Sequence, residues 1–107
     1  MVFSVATGKL VRDRIPEIIR KAGGTPTVRS VSGDELRAAL FAKLAEEAAE
    51  LRGAPDEVGR AEELADIFEC IRGLACHMGI EMGRVEELAA RKRQERGGFD
   101  AGVWLVT

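Results

Sequence analysis

Lys43-Leu44-Ala45-Glu46-Glu47-Ala48-Ala49-Glu50-Leu51 is a run of strong helix formers that places three carboxylates within five residues. On an α-helix, Glu46 and Glu50 stand four apart and Glu47 and Glu50 three apart, so they share a face. Like charges at those spacings weaken a helix unless something positive lies among them. A second acidic pair, Glu63 and Asp66, follows at i, i+3 in another helical stretch. Two such pairs brought face to face make an oxygen-lined cage suited to a hard divalent cation.

Working outward, Ser32 and Glu35 have the spacing of a capping box. The helix they would open carries Leu36, Leu40, Leu44, Ala48 and Leu51 as a core-facing stripe, ended by Gly53 and Pro55. The next helix has a wide apolar face from Ala61 to Met78, which includes Leu64, Phe68, Ile71 and Leu74 and is closed by Gly79. A further helix is expected over about Arg84 to Arg96, with Val85, Leu88 and Ala89 inward and Gly97-Gly98 as its stop. Before all of these, Ile15, Ile18 and Ile19 give a short helix with Pro16 in its first turn, capped by Asp13 or Arg14 and stopped at Gly23-Gly24. Met1 to Leu10 reads as an irregular lead-in, Thr25 to Val31 as an extended connection, and Phe99 to Thr107 as a weakly alternating tail containing Trp104. Short connections between helices imply antiparallel neighbours. The expectation is therefore one domain over residues 1–107, an all-α antiparallel bundle of about four helices completed by oligomerisation.

Whether the acids can meet depends on register. A third helix beginning straight after Pro55 would bring Glu47 near Glu63 but leave Glu50 and Asp66 apart by about 9 Å, at ~1.5 Å rise per residue. An irregular connection extending to about Gly59 instead sets Glu50 opposite Glu63 and Glu47 opposite Asp66. A bound cation thus requires the second register. The competing possibility is a solvated acidic face with Lys and Arg partners; Asp56, Glu57, Glu62 and Glu69 are read that way. Lys43, four before Glu47, suits either a helical ion pair or a phosphate contact.

Charge is unevenly distributed although the net value is only -2. Asp34 to Glu69 holds eleven acids against four bases, whereas Met1 to Lys21 holds five bases against two acids. Such an acidic middle between basic ends differs from a nucleic-acid-binding stripe. Cys70 and Cys76, six apart on one helix, match neither disulfide nor zinc spacing and read as reduced core thiols. His77 reads as structural and Trp104 as a core or interface residue. With no long apolar run and no signal-peptide pattern, the expectation is a cytoplasmic chain that engages neither membrane nor nucleic acid polymer.

Glu46-Glu47-Ala48-Ala49-Glu50 followed by Glu63-Leu64-Ala65-Asp66 resembles the EExxE…ExxD pattern of the all-α nucleoside triphosphate pyrophosphohydrolase superfamily, which includes MazG proteins, dimeric dUTPases and phosphoribosyl-ATP pyrophosphohydrolases. Lys9-Leu10-Val11-Arg12-Asp13-Arg14-Ile15-Pro16 is similar to the KLVRDxIP segment of MazG-like, phosphoribosyl-ATP-pyrophosphohydrolase-like proteins, and Lys92 to Phe99 resembles their KxxxRGGF ending. The resemblance implies Mg²⁺-dependent cleavage, with Mn²⁺ an accepted substitute, of a nucleoside triphosphate to monophosphate and pyrophosphate in nucleotide-pool house-cleaning. Phosphoribosyl-ATP hydrolysis in histidine biosynthesis and a non-catalytic helical dimer that binds nucleotide or protein are the alternatives. It implies Glu47, Glu50, Glu63 and Asp66 as metal ligands, and Glu46 as outer-shell group or general base, with Glu47 an alternative base. Lys92 and Arg96 become phosphate-binding residues, with Arg12, Arg14 and Lys43 as further candidates.

Overall fold

The computed structural model describes residues 8–107, and these form four α-helices and no strand. They are α1 (Ile15–Lys21), α2 (Gly33–Gly53), α3 (Glu57–His77) and α4 (Met82–Arg96). The expected all-α class is thus observed. Most of the lead-in anticipated over Met1 to Leu10 lies outside the described residues. The chain divides into two compact units, the first ending at Leu74 and the second running Ala75–Thr107.

In the first unit, Pro16 sits in the opening turn of α1, where its missing amide costs nothing. The helix ends in a Schellman arrangement: the Gly24 amide donates to the Ile19 carbonyl at 2.9 Å and the Gly23 amide to that of Arg20 at 3.0 Å. Ser32 is the N-cap of α2 as expected, but the capping box does not form. Ser32 makes no side-chain cap bond, and Glu35 reaches to Arg29 instead. A charge-assisted pair with a guanidinium is the stronger attraction for that carboxylate.

The α2–α3 connection is Ala54 to Asp56, shorter than the loop to Gly59 that the register was expected to need. The Asp56 carboxylate accepts the Gly59 amide at 2.8 Å and so caps α3 at its first turn. The register itself is the one the acids require. A Cβ on Gly73 would lie 3.0 Å from Leu40, so the helices touch there. Leu40 with Gly73, and Glu47 with Asp66, add to the same position total, as antiparallel neighbours do. In that register the first turn of α3 runs past the end of α2, with Val58 exposed. Residues that were expected to be irregular are helical without moving the acids.

Among the described residues the buried hydrophobic side chains are Leu40, Cys70 and Leu74 in the first unit and Ala75 in the second. Leu64, Phe68 and Ile71, on the wide apolar face of α3, keep 55%, 46% and 38% of their surface exposed. Ala48 of the α2 stripe is exposed as well.

In the second unit α3 ends in a further Schellman arrangement, with the Ile80 amide donating to Ala75 at 2.8 Å and the Gly79 amide to Cys76 at 3.1 Å. Gly79 has φ +73°, which a side-chain-bearing residue would occupy only with strain. α4 begins at Met82, two residues before the expected start. Leu88 and Ala89, expected inward, are exposed, and Val85 is half-buried. Of the two thiols expected in the core, Cys70 is buried and Cys76 is exposed. Trp104 is 87% exposed, so it is not a core residue here. No helix among the described residues is long and apolar enough to cross a membrane.

Candidate metal centre

The centre lies in the first unit and is built around Glu47. It is the one buried charged residue among the described residues, with 4% of its surface exposed, near the middle of α2. Two overlapping sets of carboxylates share it, Glu46–Glu47–Glu50 along α2 and Glu47–Glu63–Asp66 across to α3. In each set one oxygen per residue lies within 4.8 Å of the others. The first set follows from helical spacing alone; the second exists because the register sets Glu47 opposite Asp66. Glu50 is exposed and joins the second set only through Glu47.

Cations sit around this cluster. Lys43 lies 3.0 Å from Glu47 and 3.5 Å from Glu46, and so makes the helical ion pair anticipated for it. Lys9 lies 3.5 Å from Glu46. Arg12 donates to Asp66 Oδ1 at 2.7 Å. Five carboxylates against these three cations leave an excess of two negative charges. Within that excess, Glu47 Oε1 and Glu63 Oε1 are both buried and have no hydrogen-bond partner. Leaving such groups unmatched is costly, and in folded proteins they are normally paired or bound to an ion.

Proton affinities carry the same strain. Facing Glu47 pushes Glu63 up to about 7, with desolvation and the charges of Glu50, Glu47 and Asp66 adding to the rise. For Glu47 burial acts upward, but the Lys43 ammonium 3.0 Å away and the facing Glu63 carboxyl outweigh it and hold the carboxyl below its ordinary value. Glu50 is raised, chiefly by the neighbouring Glu47 charge. The Cys70 thiol, beside the cluster, is raised by burial and then by Glu47. An all-oxygen set from two helices, two of its atoms buried and unpartnered, fits a hard divalent cation.

The remaining expected site residues are Arg14, Lys92 and Arg96. Arg14 is an exposed residue at the N-cap of α1 and makes no side-chain cap bond. Lys92 and Arg96 are exposed on α4 in the second unit. Next to them, Arg93 lies 3.8 Å from Asp100, and its guanidinium passes so close to Gly98 that a Cβ there would sit 2.6 Å from it. Sequence reasoning missed Lys9 as a partner of Glu46, because nothing in local spacing links residues so far apart. Asp56 as a cap was also missed; an Asp just before a helical stretch was the available signal.

The sequence profile described as PRA-PH, phosphoribosyl-ATP pyrophosphohydrolase, matches residues 22–93. The chain belongs to that family, which is part of the MazG-like all-α pyrophosphohydrolase superfamily. A protein of Mycolicibacterium smegmatis described as uncharacterized is 65% identical over 46 residues, which cover 43% of this chain and 47% of that protein. The matched stretch thus spans about half of that relative's length. No solved structure matches the chain.

Proposed function

We infer that this chain is a Mg²⁺-dependent pyrophosphohydrolase that cleaves a nucleoside triphosphate, or a nucleotide-like triphosphate, to its monophosphate and pyrophosphate. The observation that carries this reading is the pair of buried, unpartnered oxygens on Glu47 and Glu63 inside a cluster with two negative charges to spare. Family membership supports the reaction class. Glu47, Glu50, Glu63 and Asp66 would hold the ion. When bound, Mg²⁺ supplies charge neutralisation for the phosphates and activation of the attacking water.

Glu46 takes the outer-shell role in this reading, since two ammonium groups already occupy its carboxylate and position it beside the ligands. Lys43, paired with Glu46 and Glu47, would supply an ammonium charge to the substrate phosphates. Arg12 and Arg14 supply guanidinium groups from the segment leading into α1. Lys92 and Arg96 are retained as phosphate-binding residues on the family resemblance alone. The substrate is a house-cleaning nucleoside triphosphate in our first reading, in the cytoplasm; the family description favours phosphoribosyl-ATP as the second. The working form is a homo-oligomer, which covers the exposed apolar face of α3.

The test is pyrophosphate release measured over common, deoxy and damaged triphosphates and phosphoribosyl-ATP, with and without Mg²⁺. Release should depend on the cation and favour one substrate class. Glu50→Gln should lower turnover by about 100-fold or more, since even residues behind metal ligands can cost that much. Equal turnover by wild type and Glu50→Gln would overturn the ligand assignment, and no turnover of any substrate would favour a nucleotide-binding module.

A further inference from the structure

The segment leading into α1 is held to the carboxylate cluster at two points. Lys9 meets Glu46 on α2, and Arg12 meets Asp66 on α3. Both acids belong to the cluster, and Asp66 is one of the three that converge across the helices. Resting on the cation-binding reading above, the geometry points to this segment as a counter-ion strap: Arg12 occupies Asp66 in the ion-free protein, and ion loading displaces it.

Three features support this. Arg12 meets Asp66 through one guanidinium nitrogen at 2.7 Å, so the pair lacks the second bond of a bidentate clamp. The pair is also open to solvent, with 54% of the Arg12 side chain and 39% of the Asp66 side chain exposed, and exposed pairs are weak. Finally, Arg12 lies in non-helical backbone ahead of α1, so its side chain can leave Asp66 without unwinding a helix.

A guanidinium and a divalent cation on one carboxylate repel each other, the more so as Asp66 lies beside the buried Glu47. Paired with Asp66, Arg12 relieves the repulsion among Glu47, Glu63 and Asp66. Once the ion takes Asp66, the guanidinium needs a new anion, and the phosphates of a substrate provide one. Ion and phosphate then favour each other's binding through Arg12, as linkage requires of two ligands coupled to one element.

The test is Mn²⁺ titration without nucleotide, followed by calorimetry, on wild type, Arg12→Gln, Lys21→Gln and Glu47→Gln. Lys21 pairs with Glu17 inside α1 and controls for loss of one positive charge. Arg12→Gln should bind Mn²⁺ about two- to fivefold tighter than wild type, the range expected for an exposed pair. Lys21→Gln should match wild type, and Glu47→Gln should lose binding. Unchanged or weaker binding by Arg12→Gln, or equal tightening by both charge deletions, overturns the strap while leaving the cation site standing. Absence of Mn²⁺ binding in both wild type and Arg12→Gln overturns the cation site and the strap with it. Helical circular dichroism reports folding; if Arg12→Gln does not fold, Arg12→Met, which also removes the charge, carries the same comparison, with tightening supporting the strap and no change overturning it.

Discussion

Glu63 is the residue at which the cost of the cluster is most directly measurable. Its carboxyl titrates near 7 in the folded chain against an ordinary 4.5. Between those values the folded state holds a proton that the unfolded state has released, so stability falls as pH rises through this window. Its contribution is complete below about pH 4.5 and gone above about pH 7. Glu47 is shifted the other way, so its contribution is lost only as pH falls below the ordinary carboxylate range, and the two windows do not overlap. In chelator, the melting temperature of wild type should decline from pH 5 to pH 8 more steeply than that of Glu63→Gln. Excess Mn²⁺ should flatten the wild-type profile. Thermal melts across that range check both, and parallel profiles for the two proteins in chelator would remove Glu63 as the source.

At the scale of elements, the start of α3 sets the frame. Asp56 satisfies the Gly59 amide, and Asp56→Ala should cost about 1 kcal/mol, as loss of an N-cap does, read from urea unfolding followed by helical signal. The helices themselves were legible because their apolar periods and their Pro and Gly punctuation are local. The acid register was legible too, as the arrangement that sets Glu50 opposite Glu63 and Glu47 opposite Asp66, although Glu50 is not among the three carboxylates that converge across the helices. The loop was misjudged because a helical turn and an irregular segment can both carry the chain past the end of α2. The Glu35–Arg29 pair and the Arg12–Asp66 and Lys9–Glu46 contacts were illegible. Each depends on where a loop lays a long side chain, which no periodicity encodes.

At the scale of the molecule, apolar surface exceeds the core available to cover it. Leu64, Phe68 and Ile71 stand at i, i+4 and i+7 on one face of α3, and all three are more than a third exposed. A second copy of the chain is the proposed cover. Light scattering after size exclusion should find wild type as a dimer or tetramer, and Phe68→Asp should shift it toward monomer with helical content retained. A monomeric wild type would remove oligomerisation from the proposal. The width of that face was legible in the sequence, but an amphipathic stripe looks alike whether its partner is the same chain or another copy.

The short link between α2 and α3 has a consequence for how chains of this design can vary in length. Because Leu40 against Gly73 holds the two helices in register, a residue added among Ala54 to Asp56 enlarges an exposed bend and leaves the carboxylates where they are. One added inside α3 between Gly59 and Glu63 is different. It turns either Glu63 and Asp66 or the capped first turn by about 100° relative to the other, at 3.6 residues per turn. Insertions and deletions among relatives with a working centre should therefore gather in the bend, and the spacing from Glu47 to Asp66 is free to change only there.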